Sequence, residues 1–540
     1  MKIARQILTA ALIGMLFSGL AFSQVTGDYR SAATGNWSDA ATWEMFDGAS
    51  WVAASSAPTG TETITVDGQD TVKVDVAVSI TGYVKVVETG IIEVTAGSLE
   101  FADGSTYEHA RDGGDVPTAT WEMGSTALYT GITGSTPGNR GQDYYNLTLN
   151  TAGLTSNKDM DLDGHTIGGD LTVISSGSAR WRLVGGSSGT ITIMGDVIVQ
   201  AGAQLETQGT GSATDVIVDH YGDINVTGGN FSISRGSQGS GVGTTTWNLY
   251  KGDFYFSDGQ TRNSNPTPGN AKLVFAGADT QRITFINVEY GGGDIHFKVA
   301  DSSILVITQD FEANGLFINE GEIIPRGTLT FLDGAVYDHA QDGGDIPIAT
   351  WDTGSTYMLT GIVSATPSNR NQNFYNITLN TPNMTSNKDL GLDDVTIGGD
   401  IHVISSGTAR WRLTSASGGD TAIVTIMGDV IVEGGASFET QGTGNAFTTF
   451  IVHHYGNINV TGANFSVARG SQGSGTGTTT WNLYEGDFTM SDGQTRNSNP
   501  TPGNAKLVFA SADTQQITFT NVEYTGGDIH FKVADSSILK

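Results

Sequence analysis

From Thr63 onward, apolar and polar residues alternate in short runs. Thr63-Ile-Thr-Val66, Val72-Lys-Val-Asp-Val76, Tyr83-Val-Lys-Val86 and Ile91-Ile-Glu-Val94 send every second side chain to one face, which predicts half-buried strands. Sustained apolar spacing of three and four is missing after Gln24, so no long helix is expected. Further along, the strands acquire a beat. Gly169-Asp-Leu-Thr-Val173, Gly195-Asp-Val-Ile-Val199, Gly222-Asp-Ile-Asn-Val226 and Gly252-Asp-Phe-Tyr-Phe256 follow at steps of 26, 27 and 30 residues, and Gly293-Asp-Ile-His-Phe297 comes 41 later. Each beat leaves room for three short strands and three turns. That layout predicts one coil of a parallel β-solenoid, whose coils bury inward side chains on each other and bond their backbones up and down the stack. Regular strand spacing also suits an array of β-sandwiches, but so long a unit without an internal linker favours the solenoid. The corner glycines, Gly195 and Gly428 among them, are expected to hold a positive φ.

The whole pattern then recurs. Ser257–Ala276 reads SDGQTRNSNPTPGNAKLVFA, and Ser491–Ala510 is identical over all 20 residues. The offset is 230 at Phe101/Phe331, 233 at Glu206/Glu439 and 234 at His220/His454, so the second copy has gained four residues in two places. The expected fold is an all-β, right-handed parallel β-helix with an N-terminal cap and two tandem copies of about 230 residues. Its expected divisions are residues 24–100 for the cap, 101–330 for the first copy and 331–540 for the second. Trp37, Trp43 and Trp51 crowd the cap, where an aromatic cover would protect the open edge of the first coil. Copy one continues past Leu305 with Val306-Ile-Thr-Gln309, whereas copy two stops at Leu539-Lys540. This predicts a piece of a longer gene product, with Ile529, Phe531 and Val533 uncovered and self-association through the C-terminal edge.

Residues 1–23 carry Lys2 and Arg5, then an apolar stretch from Ile7 to Phe22 and a small-x-small site at Ala21-Phe-Ser23. This is the layout of a cleaved signal peptide, and it predicts an extracellular or cell-surface protein with no membrane insertion after cleavage. Composition adds to that. There are 74 glycines and no cysteine, so packing and backbone ladders must hold the fold in place of disulfides. The formal charge is −30, and losing Lys2 and Arg5 makes it −32. Nucleic acid and anionic lipid would be repelled, while cations would be attracted.

The run from Gly35 to Trp43, G-N-W-S-x-x-x-T-W, resembles the start of secreted repeat proteins of Bacteroidota-type bacteria, and is distantly similar to the all-β G8 domain. Tyr107 to Trp121 with its echo Tyr337 to Trp351, Tyr145-Asn-Leu-Thr-Leu149 and Thr166-Ile-Gly-Gly-Asp170 extend the resemblance over most of the chain. It implies an exported β-helical protein of the kind that often ends in a sorting domain for type IX secretion, which is not seen here. On activity the resemblance is nearly silent.

Candidate chemistry is sparse. Asp159, Asp161 and Asp163 precede Gly164, with Asp170 at the twelfth position, the spacing of a calcium loop. Met160 and Leu162 alternate with them as a half-buried strand requires, and copy two has Gly391 in place of the central ligand. Calcium is the one cofactor the spacing suggests. Arg180-Trp181-Arg182 and Arg410-Trp411-Arg412, with Trp121, Trp247, Trp351 and Trp481, repeat between the copies and would suit stacking on successive sugars. The competing assignment puts these indoles in the solenoid interior. The repeated histidines, His109/His339, His220/His454 and His296/His530, suit turns or core better than metal. Hydrolases on β-helices need clustered carboxylates, and the pair Asp393-Asp394 occurs in copy two alone. No catalytic residue is therefore assigned. The expected function is a non-catalytic structural or adhesive protein of the cell surface or matrix, whose partner is an extracellular glycan or a neighbouring cell. The alternative is a glycan-binding module or polysaccharide-degrading enzyme.

Overall fold

The computed structural model describes residues 24–209, 214–232, 243–261, 267, 269–290, 295–414, 421–441, 449–466, 478–495, 503–524 and 530–540. The signal-peptide assignment, together with Gly293, Gly527 and Ile529, lies outside them. The described residues are almost wholly strand and turn, with one short 3-10 turn at Ala40–Thr42. They form two compact units. The first runs to Leu273 and takes up Thr284 to Tyr290; the second comprises Val274–Ile283 and residues 295–540.

In the first unit, strands stack parallel in long sheets, one strand per coil, as a β-solenoid requires. Asn146–Asn150, Leu171–Ser175, Val197–Val199, Ile224–Thr227 and Phe254–Ser257 pair in succession. Trp181–Val184, Gln204–Gln208 and Asn230–Ser232 make a second face. Gly189–Ile193, Asp215–His220 and Thr244–Leu249 make a third. Register places Leu147, Leu171, Val197, Ile224 and Phe254 in one inward column, all essentially buried. Burying one such side chain contributes about 1.5–3 kcal/mol, so the alternation seen in sequence is the main source of cohesion.

Among the described residues, antiparallel strand pairing is confined to Tyr29–Ser31, Trp43–Phe46 and Trp51–Ala53. From Thr63–Val66 the strands already stack parallel on Tyr29–Ser31 and Tyr83–Val87. Trp37 and Trp43 are buried edge-to-face at 5.1 Å, and the Trp43 indole N–H donates to the Trp37 carbonyl. Trp51 lies under the Arg30 guanidinium at 4.7 Å. Trp43 and Trp51 thus belong to a short antiparallel cover, against which Trp37 packs.

The second unit repeats the scheme. Asn376–Asn380, Ile401–Ser405, Val430–Val432, Ile458–Thr461 and Phe488–Ser491 form one parallel face. Thr421–Ile426, Thr449–His454, Thr478–Leu483, Ala505–Phe509 and Phe531–Val533 form another.

The corner glycines work differently from the expectation. Gly195 and Gly428 are not among the residues with positive φ. Instead, a Cβ on Gly195 would lie within 3.0 Å of the Gly169 backbone, and one on Gly428 within 3.0 Å of the Gly399 backbone. Gly222, Gly252, Gly456 and Gly486 meet the glycine of the preceding coil in the same way. The coils touch backbone to backbone at this corner, and only a residue without a side chain permits it. Left-handed glycines sit elsewhere on the coil, as at Gly202 with φ 79°.

Candidate functional site

The corner glycine sets up the aspartate beside it. With successive backbones so close, the Asp196 N–H donates to Asp170 Oδ1 at 2.8 Å, Asp223 to Asp196 at 2.7 Å and Asp253 to Asp223 at 2.7 Å. Each carboxylate thus holds the amide of the next coil. Stacking them brings like charges into register, and burial together with Asp223 and Asp170 pushes Asp196 up to about 6. In the second unit, the Asp429 N–H bonds Asp400, the Asn457 N–H bonds Asp429 and the Asp487 N–H bonds Asn457. There the Asn457 side-chain amide also donates to Asp429 Oδ1 at 3.1 Å. The Gly-Asp beat was visible in sequence, but its bonding ladder was not, because sequence shows which residues recur and not which amide they meet.

The six tryptophans proposed for sugar stacking are interior. Trp181, Trp247, Trp411 and Trp481 are fully buried, and Trp121 and Trp351 nearly so. Each indole N–H has a protein partner. Trp181 donates to Thr151 Oγ1 and Trp411 to Thr381 Oγ1, at 2.9 and 3.0 Å. Trp121 and Trp351 donate to Gln142 and Gln372, and stack on Phe101 and Phe331 at 4.5 and 4.6 Å. These rings have no face open to a sugar. Their placement follows from burial, since a ring of this size is the largest apolar filler available to a coil.

Trp247 and Trp481 also settle the state of two histidines. Their indole N–H groups donate to His220 Nδ1 and His454 Nδ1, which must then be unprotonated. Nε2 carries the proton and donates to the carbonyl of Gly195 or Gly428 at 2.9 and 2.8 Å. Burial lowers both imidazoles to about 4, so they are neutral structural links between indole and corner. His109 and His339 are also buried, bonded to Tyr107 or Tyr337 and to the carbonyl of Gly113 or Gly343.

The arginines beside Trp181 and Trp411 are part-buried over carboxylates. Arg182 pairs with Asp159 at 2.5 Å, and Arg180 approaches the buried Glu206 at 3.7 Å. In the second unit, Arg412 Nε bonds Glu439 at 2.9 Å and its Nη1 reaches Asp389 at 3.5 Å, while Arg410 lies 3.9 Å from Glu439. Charge neutralisation between neighbouring coils occupies them.

The calcium spacing does not become a calcium cage. Among the described residues, no group of three histidines or carboxylates is placed to hold a metal. Asp159 turns to Arg182, Asp161 to Arg140 Nη2, and Asp170 to the Asp196 amide. Asp161 holds φ 52°, and Gly391, its counterpart, holds φ 65°. The position is a left-handed turn, which explains glycine there without reference to a ligand. Asp163 stands at the turn beside Gly189, where a Cβ would meet its own. Asp393 accepts the Thr414 hydroxyl, and burial raises it; Asp394 has φ 59°. This pair too belongs to a turn.

Tyrosines missed in sequence face outward. Tyr221 and Tyr250 are half-buried and stack at 5.0 Å, with Lys251 6.0 Å from the Tyr221 ring; Tyr455 and Tyr484 repeat the stack at 5.0 Å, joined by His453. Each pair lies one or two residues before a corner glycine, Tyr221 before Gly222 and Tyr250 before Gly252. That position was the available signal. No protein-family model, no curated protein and no solved structure matches this chain.

Proposed function

We propose that this chain is an exported structural repeat protein of the cell surface or extracellular matrix, and that it adheres through its outward ladders. One observation carries this reading: the same residues do the same internal work in both copies. Indoles, imidazoles and arginines that could have formed a pocket are spent on linking coils. Each copy also leaves a stacked tyrosine pair partly exposed, on an acidic chain. The leader-like residues 1–23 support the location. A second reading, glycan binding, is favoured by those tyrosines, because ring faces and edges at coil spacing suit repeated sugar units.

Beads coated with the protein should adhere to glycan or matrix surfaces. Disrupting one tyrosine pair should remove more than half of the binding, because two linked sites on one chain bind with avidity. The variant Y221A/Y250A/Y455A/Y484A should lose it. Adhesion that survives in that variant would discard the tyrosines, and wild-type beads that bind nothing would discard adhesion. Release of soluble sugars from a polysaccharide substrate would favour the enzyme alternative.

A further inference from the structure

We propose that an extended basic peptide of another protein docks along the strand Glu322–Pro325, adding a strand to its sheet and setting a lysine or arginine between Glu322 and Asp345. This strand is the last of its sheet. The Glu322 N–H bonds Ser303 and the Arg326 N–H bonds Ile307, at 2.9 and 2.8 Å, both in the preceding coil. Alternate residues of a strand point their amides and carbonyls to opposite edges. The Ile323 amide and carbonyl and the Pro325 carbonyl therefore face away, and the backbone makes no bond from them to the loop opposite.

That loop, residues 343–349, is firmly held. His339 Nε2 bonds the Gly343 carbonyl at 2.6 Å, and the Asp342 carboxylate accepts the amides of Val363, Ser364 and Ala365. Between strand and loop lies a groove of about 470 Å³ lined by Ile323, Pro325 and Ile348, and Ile348 is 63% exposed. A second depression of about 520 Å³ adjoins it, and the two share Glu322 and Asp345. Neither lining contains a lysine or arginine. An open strand edge, an apolar lip and two exposed carboxylates form one continuous surface.

The other copy shows which charge completes it. There Arg111 Nη1 donates to the Gly90 carbonyl at 2.5 Å, where Gln341 Nε2 donates to Gly321. The residue after that glycine is Ile91 in copy one and Glu322 in copy two. Arg111, Ile91 and Asp115 sum to zero charge (+1, 0, −1), whereas Gln341, Glu322 and Asp345 sum to −2 (0, −1, −1). Copy one fills this position with a guanidinium and copy two with the uncharged Gln341 amide, so in copy two a visiting cation would balance the carboxylates. Strand pairing asks for a peptide backbone, and the two carboxylates ask for a basic side chain on it.

Fluorescence anisotropy with a labelled Arg-Val-Lys-Val-Arg peptide and the full chain, in about 150 mM salt, tests this. Saturable binding is expected, at least about tenfold weaker for E322Q/D345N and lost in Q341R, which restores the copy-one cation. The variant E122Q/E485Q changes the charge equally at exposed residues elsewhere and should bind like wild type. Circular dichroism confirms that each variant is folded. Equal weakening in E122Q/E485Q would reduce the effect to net charge and overturn the site. Undiminished binding of a backbone N-methylated peptide would overturn strand addition, and no binding to wild type would overturn the proposal outright.

Discussion

The stretch Ile295–Leu305 and the stretch Ile529–Leu539 have the same sequence, yet Phe297 is 2% exposed and Phe531 41%. Val299 and Val533 differ in the same way, at 0% and 44%. Phe297 is covered by Phe317 of the following strand, with the rings 5.6 Å apart, while Phe531 pairs with the strand Ala505–Phe509 on one side. Identical residues thus form the same strand and receive different burial. In a stacked fold, a coil's own sequence decides its shape, and the next coil decides how much of its apolar face contributes to stability.

Where the copies share a contact, they should respond alike. The corner glycines offer the largest effect. Gly222→Val and Gly456→Val would each drive side-chain atoms into the carbonyl of the preceding coil's glycine. We expect each to cost about 3 kcal/mol in chemical denaturation, since the backbone cannot move aside. Gly202→Ala, at positive φ but with open space around it, should cost about 1 kcal/mol. Equal costs at the two kinds of site would show that the coils do not touch at this corner.

The paired imidazoles come next. His220 and His454 titrate near 4 in the fold against an ordinary 6.5, so the unfolded chain takes up protons first as the pH falls. Stability contributed by the neutral forms should be lost between about pH 6.5 and 4, on the order of 3 kcal/mol for each. Denaturation midpoints against pH should fall in this window, and His220→Gln and His454→Gln should each flatten the curve by a similar amount. A profile that His220→Gln leaves unchanged would mean that this imidazole is not buried.

Hydrogen exchange reads the difference between the strands of Phe297 and Phe531 directly. Amides of Lys298 and Val299 should exchange about 100-fold more slowly than those of Lys532 and Val533. Equal protection would show that burial of Phe297 adds nothing to local stability.

The smallest effect belongs to the corner ladder, where the copies differ by one side chain. Asp196 is raised to about 6 from 3.8, so its ionised form is disfavoured in the fold and its cost is greatest above pH 6. Asp223→Asn would import the Asn457 arrangement, giving Asp196 an amide donor in place of a like charge. It should stabilise the protein at pH 7 by on the order of 1 kcal/mol, allowing for solvent screening, and the gain should fade as the pH drops toward 4. Asn457→Asp should do the reverse. Thermal melts at pH 7 and 4 separate these outcomes.

Much of the fold was legible because a solenoid writes its period into its sequence. Alternation at Thr63–Val66 and Tyr83–Val87 marked the inward faces, and the Gly-Asp beat marked the coils. The candidate site was less legible. Trp181 and Arg182 have the composition of a sugar platform and the positions of a core filler and an ion pair. Composition alone does not separate these. Asp161 has the spacing of a metal ligand and the φ of a turn, and only backbone geometry distinguishes them.

By itself, the sequence determined local conformation: where strands run, where chains turn, and that the second copy repeats the first. Those properties follow from side-chain period and turn chemistry, which act over a few residues. Tertiary structure decided the meaning of each residue across coils. It made the corner glycines points of backbone contact instead of left-handed turns, turned Asp170, Asp196 and Asp223 into amide acceptors, and gave Phe297 and Phe531 different surroundings. The reason is physical. Burial, bonding and charge repulsion depend on neighbours some 20 to 40 residues away, and no window along the chain contains them.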